Sequence, residues 1–270
     1  MKSFIRFLVF SNIWVAFCVL SLAITSEILF NTANYKISQF VFFATIFTYN
    51  FQRIVRVKRG ENHIRKHWLQ ANNKLLYLFV LLSGIMSSYL FFQFQILTQI
   101  AIVFSGVLSL LYPFGLRKIP FSKIFVISLV WTISTMLLLV LENNLIITQN
   151  IVLHLMSRFL FVFAITIPFD IRDLKYDAQN LQTIPVFFGA SKARFMAFIA
   201  LFICGIIGFF QYTQNALIFS KLLALILLYF MASIFIAKSD ESKGEMYFSF
   251  WIESMCIFAY LFLIISGLIF

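Results

Sequence analysis

The sequence predicts an all-α polytopic membrane protein, a bundle of about nine transmembrane helices, and three observations carry that expectation. Of the 270 residues, 62% are hydrophobic and 11% charged, against about 25% charged in a soluble domain. Mean hydropathy is +0.96. The apolar residues come as unbroken runs of about 17–23, the length a helix needs to cross ~30 Å of hydrocarbon. A membrane β-barrel would alternate polar and apolar residues instead. Soluble enzymes, secreted scaffolds and disordered tails are excluded by the same figures. One domain over 1–270 is expected, embedded in the lipid bilayer as a multi-pass protein of a bacterial cytoplasmic membrane, with no nucleic-acid partner.

The runs fall at 4–26, 37–55, 75–93, 96–112, 124–141, 151–169, 195–211, 217–237 and 248–270. The first follows Lys2 and Arg6 and is too long for a signal-peptide core, so it reads as a span. The second ends in the basic cluster Arg53, Arg56, Lys58 and Arg59. The third and fourth share a charge-free stretch, 75–116, which is too long for one crossing and is divided at Gln93 and Gln95. The fifth follows Lys123. The sixth carries Arg158 and ends at an acidic cluster, the seventh follows Lys192 and Arg194, and the last two are separated by a short charged loop. Each must be helical, because backbone groups in lipid have to pair within their own segment.

Numbering the connections alternately places 18 of the 21 Lys and Arg residues on one side, leaving only Lys36 and Lys221 on the other. The positive-inside rule then sets the N-terminus in the cytoplasm and the C-terminus outside. Both long connections, 56–74 and 170–194, become cytoplasmic. The external loops are short and nearly uncharged, so chemistry is expected on the cytoplasmic face.

Only four aspartates occur in the chain, and Asp170, Asp173 and Asp177 lie within eight positions. If the sixth helix continued through them, the i, i+3, i+7 spacing would set them within an arc of about 60°. Three carboxylates on one face repel each other, and the more so when partly desolvated at a membrane boundary. A cation would relieve this, and oxygen-only ligands suit Mg²⁺. The interleaved Arg172 and Lys175 allow a second reading, a solvated loop of mixed charge.

The segment Asp170-Ile-Arg-Asp-Leu-Lys-Tyr-Asp177, followed by Thr183–Val186 and Gly189, resembles the second aspartate-rich motif of the UbiA superfamily of intramembrane prenyltransferases. Leu111-Tyr-Pro-Phe-Gly-Leu-Arg-Lys-Ile-Pro120 resembles that family's Tyr/Pro/basic segment after the fourth helix. The resemblance implies a nine-helix fold and transfer of a prenyl group from a prenyl diphosphate to a hydrophobic acceptor, such as an aromatic precursor in quinone biosynthesis. It implies Mg²⁺ on Asp170, Asp173 and Asp177 as the catalytic and metal-binding set. Asn50, Arg53, Arg56, Arg117, Lys118, Arg172 and Lys175 are then the candidates for holding the diphosphate.

The first aspartate-rich motif of that family does not appear. Tyr49-Asn-Phe-Gln-Arg-Ile-Val-Arg-Val-Lys58 offers Asn50 for the family's Asn, but the aspartate positions fall on Phe51, Ile54 and Lys58. Two readings follow. Arg53, Arg56 and Lys58 take over diphosphate neutralisation, the arginines as bidentate forks, or the site has decayed and the bundle binds lipid or an assembly partner without chemistry. The basic cluster also reads simply as a positive-inside flank.

Cys18, Cys204 and Cys256 lie far apart in apolar runs and read as inert buried thiols. His63 and His67 share a helical face but lack further zinc ligands. Arg158 is expected near the outer end of its helix, snorkelling or paired with Glu142. Glu253 is expected to face either the central cavity or the interface. Some of the 37 phenylalanines are candidates for lining a prenyl tunnel.

Overall fold

The computed structural model describes residues 2–58, 65–111, 119–174 and 182–269, and these are all-helical, without strands. In chain order the helices are α1 (Lys2–Phe10), α2 (Ile13–Phe30), α3 (Lys36–Lys58), α4 (Lys66–Ala71), α5 (Asn73–Phe91) and α6 (Ile96–Leu111). They continue with α7 (Ser122–Glu142), α8 (Gln149–Arg172), α9 (Ile184–Phe188), α10 (Ala190–Thr213), α11 (Phe219–Ala237) and α12 (Tyr247–Ile269). Seven of these are long and apolar enough to cross a membrane: α2, α5, α7, α8, α10, α11 and α12. The two remaining expected spans are occupied by α3, whose C-terminal half carries Arg53, Arg56 and Lys58, and by the shorter α6.

The first expected span is interrupted. Asn12 adopts a left-handed backbone, φ 61°, between α1 and α2. Asparagine tolerates that conformation better than most residues. The kink is held by α3: the Asn12 side-chain amide donates to Asn50 Oδ1 at 2.9 Å, and Asn50 Nδ2 donates to the Ser11 carbonyl at 3.0 Å. A positional polar residue on α3 thereby fixes where the chain bends onto the membrane-crossing part of the first span.

The helices pack in the order α3–α2–α12–α11–α10–α8–α7–α6, and Gln52 of α3 donates to the Ser109 carbonyl of α6 at 2.9 Å, which closes the ring, while α5 packs on α3. The tightest of these, α8 on α10, rests on a stripe of small residues. Ala193, Ala197, Ala200 and Cys204 recur at helical spacing and are all buried, which lets the two backbones approach where van der Waals contact is the main attraction between apolar helices. They face Phe161, Ala164, Ile165 and Ile171 of α8 in the larger of two apolar clusters. Many of the large apolar side chains left exposed, among them Leu81, Ile85, Phe202 and Phe230, lie on helices long and apolar enough to cross a membrane.

Two helices contain π-type turns, Ile133–Leu137 in α7 and Tyr247–Ile252 at the start of α12. Such widened turns disturb the ordinary backbone ladder and recur at functional or packed polar positions. In α7 the Thr135 carbonyl accepts from Ser26 Oγ at 2.6 Å. The Thr135 hydroxyl accepts from Arg158 Nη1 at 3.1 Å.

Arg158 corrects an expectation. It neither snorkels nor pairs with Glu142. It is 5% exposed and donates to the Leu22 carbonyl, Thr135 Oγ1 and Ser26 Oγ, tying α8 to α2 and α7. Glu142 instead accepts from the Gln95 backbone amide at the turn into α6. The reason is rotational: position 158 lies on the face of α8 that also buries His154 and Phe161, so its side chain points into the bundle rather than toward the headgroups. The three cysteines are free and buried.

Candidate active site

A connected set of buried and half-buried charges collects at one end of the ring, where α3 and α8 finish and α7 and α12 begin. Phe121, in a left-handed conformation with φ 59°, starts α7. Its backbone amide donates to the Gln182 carbonyl at 2.9 Å, and its ring meets Phe187 and Phe188 of α9. The start of α7 is thus pinned to the segment that follows the acidic cluster. Thr183 leads into α9, and Gly189 joins α9 to α10 at φ 83°, ψ 155°, a conformation open to glycine and strained for other residues.

Asp170 is buried, 1% exposed, in the last turn of α8. Lys123, one residue into α7, places its ammonium 2.7 Å from Asp170 Oδ1 and 3.5 Å from Asp173 Oδ2. Asp173 is gripped from its other side by Arg172, whose Nε and Nη2 donate to the two carboxylate oxygens at 2.7 and 3.1 Å. Burial raises the Asp173 carboxyl, but Arg172 and Lys123 outweigh it and hold the group at about 2. The ordered α8 ends at Arg172, with Asp173 as its cap, so Asp170 and Asp173 meet at a helix terminus rather than along one continuing helical face.

From Arg172 the network runs on. Its Nη1 donates to Glu245 Oε2 at 3.0 Å, and its guanidinium lies over the Phe169 and Phe248 rings at 5.3 and 5.7 Å. The other oxygen of Glu245 accepts from Arg65 Nε at 3.0 Å. Arg65 is 4% exposed and donates as well to the Val9 carbonyl and Ser249 Oγ. Burial raises the Glu245 carboxyl, and Arg172 and Arg65 more than offset it, holding the group at about 2. One connected set of charges therefore ties α1, α4, α7, α8 and α12 together around the mouth.

The expected site residues fall into three groups. Asp170, Asp173 and Arg172 come together as described. Arg53 and Arg56 are half-buried near the end of α3, and Arg53 lies within electrostatic reach of Arg56, Arg65, Glu245 and Arg172. The end of α3 thus looks across the mouth toward the end of α8. Asn50 is fully buried, and its amide is engaged with Asn12, Ser11 and the Ile46 carbonyl, at the α1–α2 bend rather than at the mouth. Asp177, Lys175, Arg117 and Lys118 lie outside the described residues, as does His63. His67 is exposed on α4.

Three site residues escaped the sequence reading: Lys123, Glu245 and Arg65. The first and last were counted only as positive-inside charges. Their pairing across 47 and 180 positions left no local pattern. The one available signal was scarcity, since six glutamates in the chain make a glutamate at the start of the last span worth attention. Glu253 lies two turns further on, and Arg65, Glu245, Arg172 and Arg53 all act on it electrostatically. Between the two positions left open for it, this favours the bundle interior beneath the mouth.

The residues present fit one hard divalent cation. Among the described residues no three His, Cys, Asp or Glu side chains converge, but Asp170 and Asp173 converge on one cation position, which the Lys123 ammonium marks. Magnesium commonly takes one or two protein carboxylates and draws its other ligands from phosphate and water. Across the mouth, α3 offers no carboxylate for a second ion.

Residues 70–255 match the sequence profile of the UbiA prenyltransferase family. No curated protein sequence matches the chain. Among solved structures, a UbiA homolog from Archaeoglobus fulgidus bound to GPP and Mg²⁺ superposes with a TM-score of 0.68 at 13% identity, over 97% of this chain and 99% of that one. A structure of digeranylgeranylglyceryl phosphate synthase superposes with a TM-score of 0.64 at 14% identity over the whole of both chains. The apo UbiA homolog from Aeropyrum pernix K1 gives 0.60 at 11% identity over 98% of each. At these identities the likeness is one of fold. The sequence profile covers well over half of the chain, so this integral membrane protein belongs to the UbiA prenyltransferase family.

Proposed function

We propose that the protein transfers a prenyl group from a prenyl diphosphate to a hydrophobic acceptor, an aromatic ring or another lipid-pathway nucleophile, at the Asp170–Asp173 mouth. The observation that carries this reading is the facing of two charge sets. Carboxylates that converge on one cation position stand at the end of α8, and Arg53 and Arg56 stand at the end of α3, with Arg53 in electrostatic reach of Arg172 and of Arg65. A diphosphate matches that pattern, with one end on guanidinium forks and the other on a cation held by aspartate. Asp170, Asp173 and, from the sequence, Asp177 would hold the magnesium ion, and the sequence adds Arg117, Lys118 and Lys175 as further candidates for the diphosphate. The chemistry such an ion supplies is neutralisation of the charge that grows on a departing diphosphate. The protein's own part is to hold the diphosphate at the mouth, extend the prenyl chain among aromatic side chains below it, and keep water from the allylic carbon. Ring faces such as those of Phe169 and Phe248 already accommodate a cation, the Arg172 guanidinium.

The alternative, a catalytically silent bundle that binds lipid or an assembly partner, draws support from the carboxylate-free α3. One experiment separates the two. The detergent-solubilised protein is melted with magnesium and a thio-substituted, non-ionising geranyl diphosphate. A ligand at 100 times its Kd that binds only the folded state adds about 2.7 kcal/mol. Wild type should show the shift and Asp173→Asn should lose it. Absence of any shift in wild type at millimolar analogue selects the silent reading.

A further inference from the structure

We propose that Lys123 is a tethered cation that occupies the divalent-ion position of the free protein, so that this protein takes up its metal only together with diphosphate. The inference rests on the prenyl diphosphate reading above and adds an order of binding to it. Asp170 lies in the last turn of α8 and Asp173 caps it, and Lys123 reaches them from the start of α7, with its ammonium 2.7 Å from one carboxylate and 3.5 Å from the other. Two carboxylates on one cation is the arrangement a hard ion would otherwise take.

The two cations beside Asp173 differ in how firmly they are held. Arg172 is planar and clamped, forked onto Asp173 on one side and bonded to Glu245 on the other, with aromatic rings beneath it. Lysine is a compact charge on a flexible four-carbon stem, with three donors that reorient readily. A divalent ion entering between Asp170 and Asp173 meets the ammonium at close range, and like charges at such distances repel strongly where the surroundings exclude water. A diphosphate arriving at the mouth changes this. It offers phosphate oxygens to the ammonium and supplies the remaining ligands of the ion, so the two cations no longer compete for the same oxygens. The lysine then changes partner from carboxylate to phosphate, and the positive charge that the missing first motif would have collected with a second ion is provided covalently.

Mn²⁺, read by the loss of its free-ion paramagnetic resonance signal, tests this in the full-length protein in nanodiscs, with and without the same thio-substituted geranyl diphosphate. Wild type should bind Mn²⁺ at least tenfold more tightly with the analogue than without it. Lys123→Met should bind Mn²⁺ without the analogue at least tenfold more tightly than wild type does without it, and Lys123→Arg should return that affinity to the wild-type level. Equal Mn²⁺ affinity of wild type with and without the analogue overturns the proposal, and that arm requires no variant to fold. So does a Lys123→Met protein whose analogue-free Mn²⁺ affinity matches that of wild type while analogue-assisted binding persists. In both cases the diphosphate reading stands. If wild type binds neither the analogue nor Mn²⁺ under any condition, the diphosphate reading falls and this one with it.

Discussion

Glu245→Gln isolates one electrostatic contribution in the mouth, because it removes one charge and almost no volume. In the native protein Glu245 bridges Arg172 and Arg65 at 3.0 Å each. The two guanidinium groups hold its carboxyl at about 2, against an ordinary 4.5. A depression of that size corresponds to roughly 3 kcal/mol of preference for the charged form. Breaking one member of a buried charge set costs about 3–5 kcal/mol, since the partners keep their desolvation without the attraction. Glutamine retains one acceptor oxygen, so the expected loss at pH 7 is about 2–4 kcal/mol. The sign with pH follows from the direction of the shift. A folded-state pKa below the unfolded one gives stability that is complete above about pH 4.5 and is lost as the pH falls toward 2. At pH 3.5 wild type should therefore have lost about 1.4 kcal/mol of its Glu245 contribution, and the gap to Glu245→Gln should narrow by that amount. Equilibrium unfolding in mixed detergent micelles, followed by tryptophan fluorescence at both pH values, measures it. A gap below 0.5 kcal/mol, or one that stays constant between pH 7 and 3.5, would refute a stabilising role for this bridge.

Three further outcomes are expected. Arg53→Lys and Arg56→Lys keep the charge of the α3 terminus but lose the fork. Each should weaken binding of the diphosphate analogue by about tenfold, or ~1.4 kcal/mol, with expression unchanged; a double Lys variant that binds as tightly as wild type would leave the carboxylate side as the only anchor. Gly189→Ala meets no neighbouring atom, yet it forces alanine to φ 83°, so it should cost about 1–3 kcal/mol from backbone strain alone; a neutral result would mean that the α9–α10 joint relaxes freely. A reporter fused after Phe270 should face the outside and one inserted near Lys118 the cytoplasm, and a cytoplasmic C-terminus would overturn the nine-span count.

The sequence by itself determined the helical membrane architecture and pointed to the end of the sixth span as the candidate site. Helix-length apolar runs leave helices as the solution in lipid. Three aspartates crowded beside an apolar run named the end of the sixth span, because rare charges at a membrane boundary are costly unless they serve a purpose. Local spacing could not reveal what those charges meet. Lys123 reaches Asp170 across 47 positions and Arg65 reaches Glu245 across 180. Such pairs exist only once the ring has closed and the ends of separate helices share one low-dielectric mouth. The same holds for Arg158, whose partners Leu22, Ser26 and Thr135 lie on other helices. Periodicity says that a residue is on a helix, but the rotation of that helix against its neighbours decides whether a charge points to lipid, to water or to another backbone.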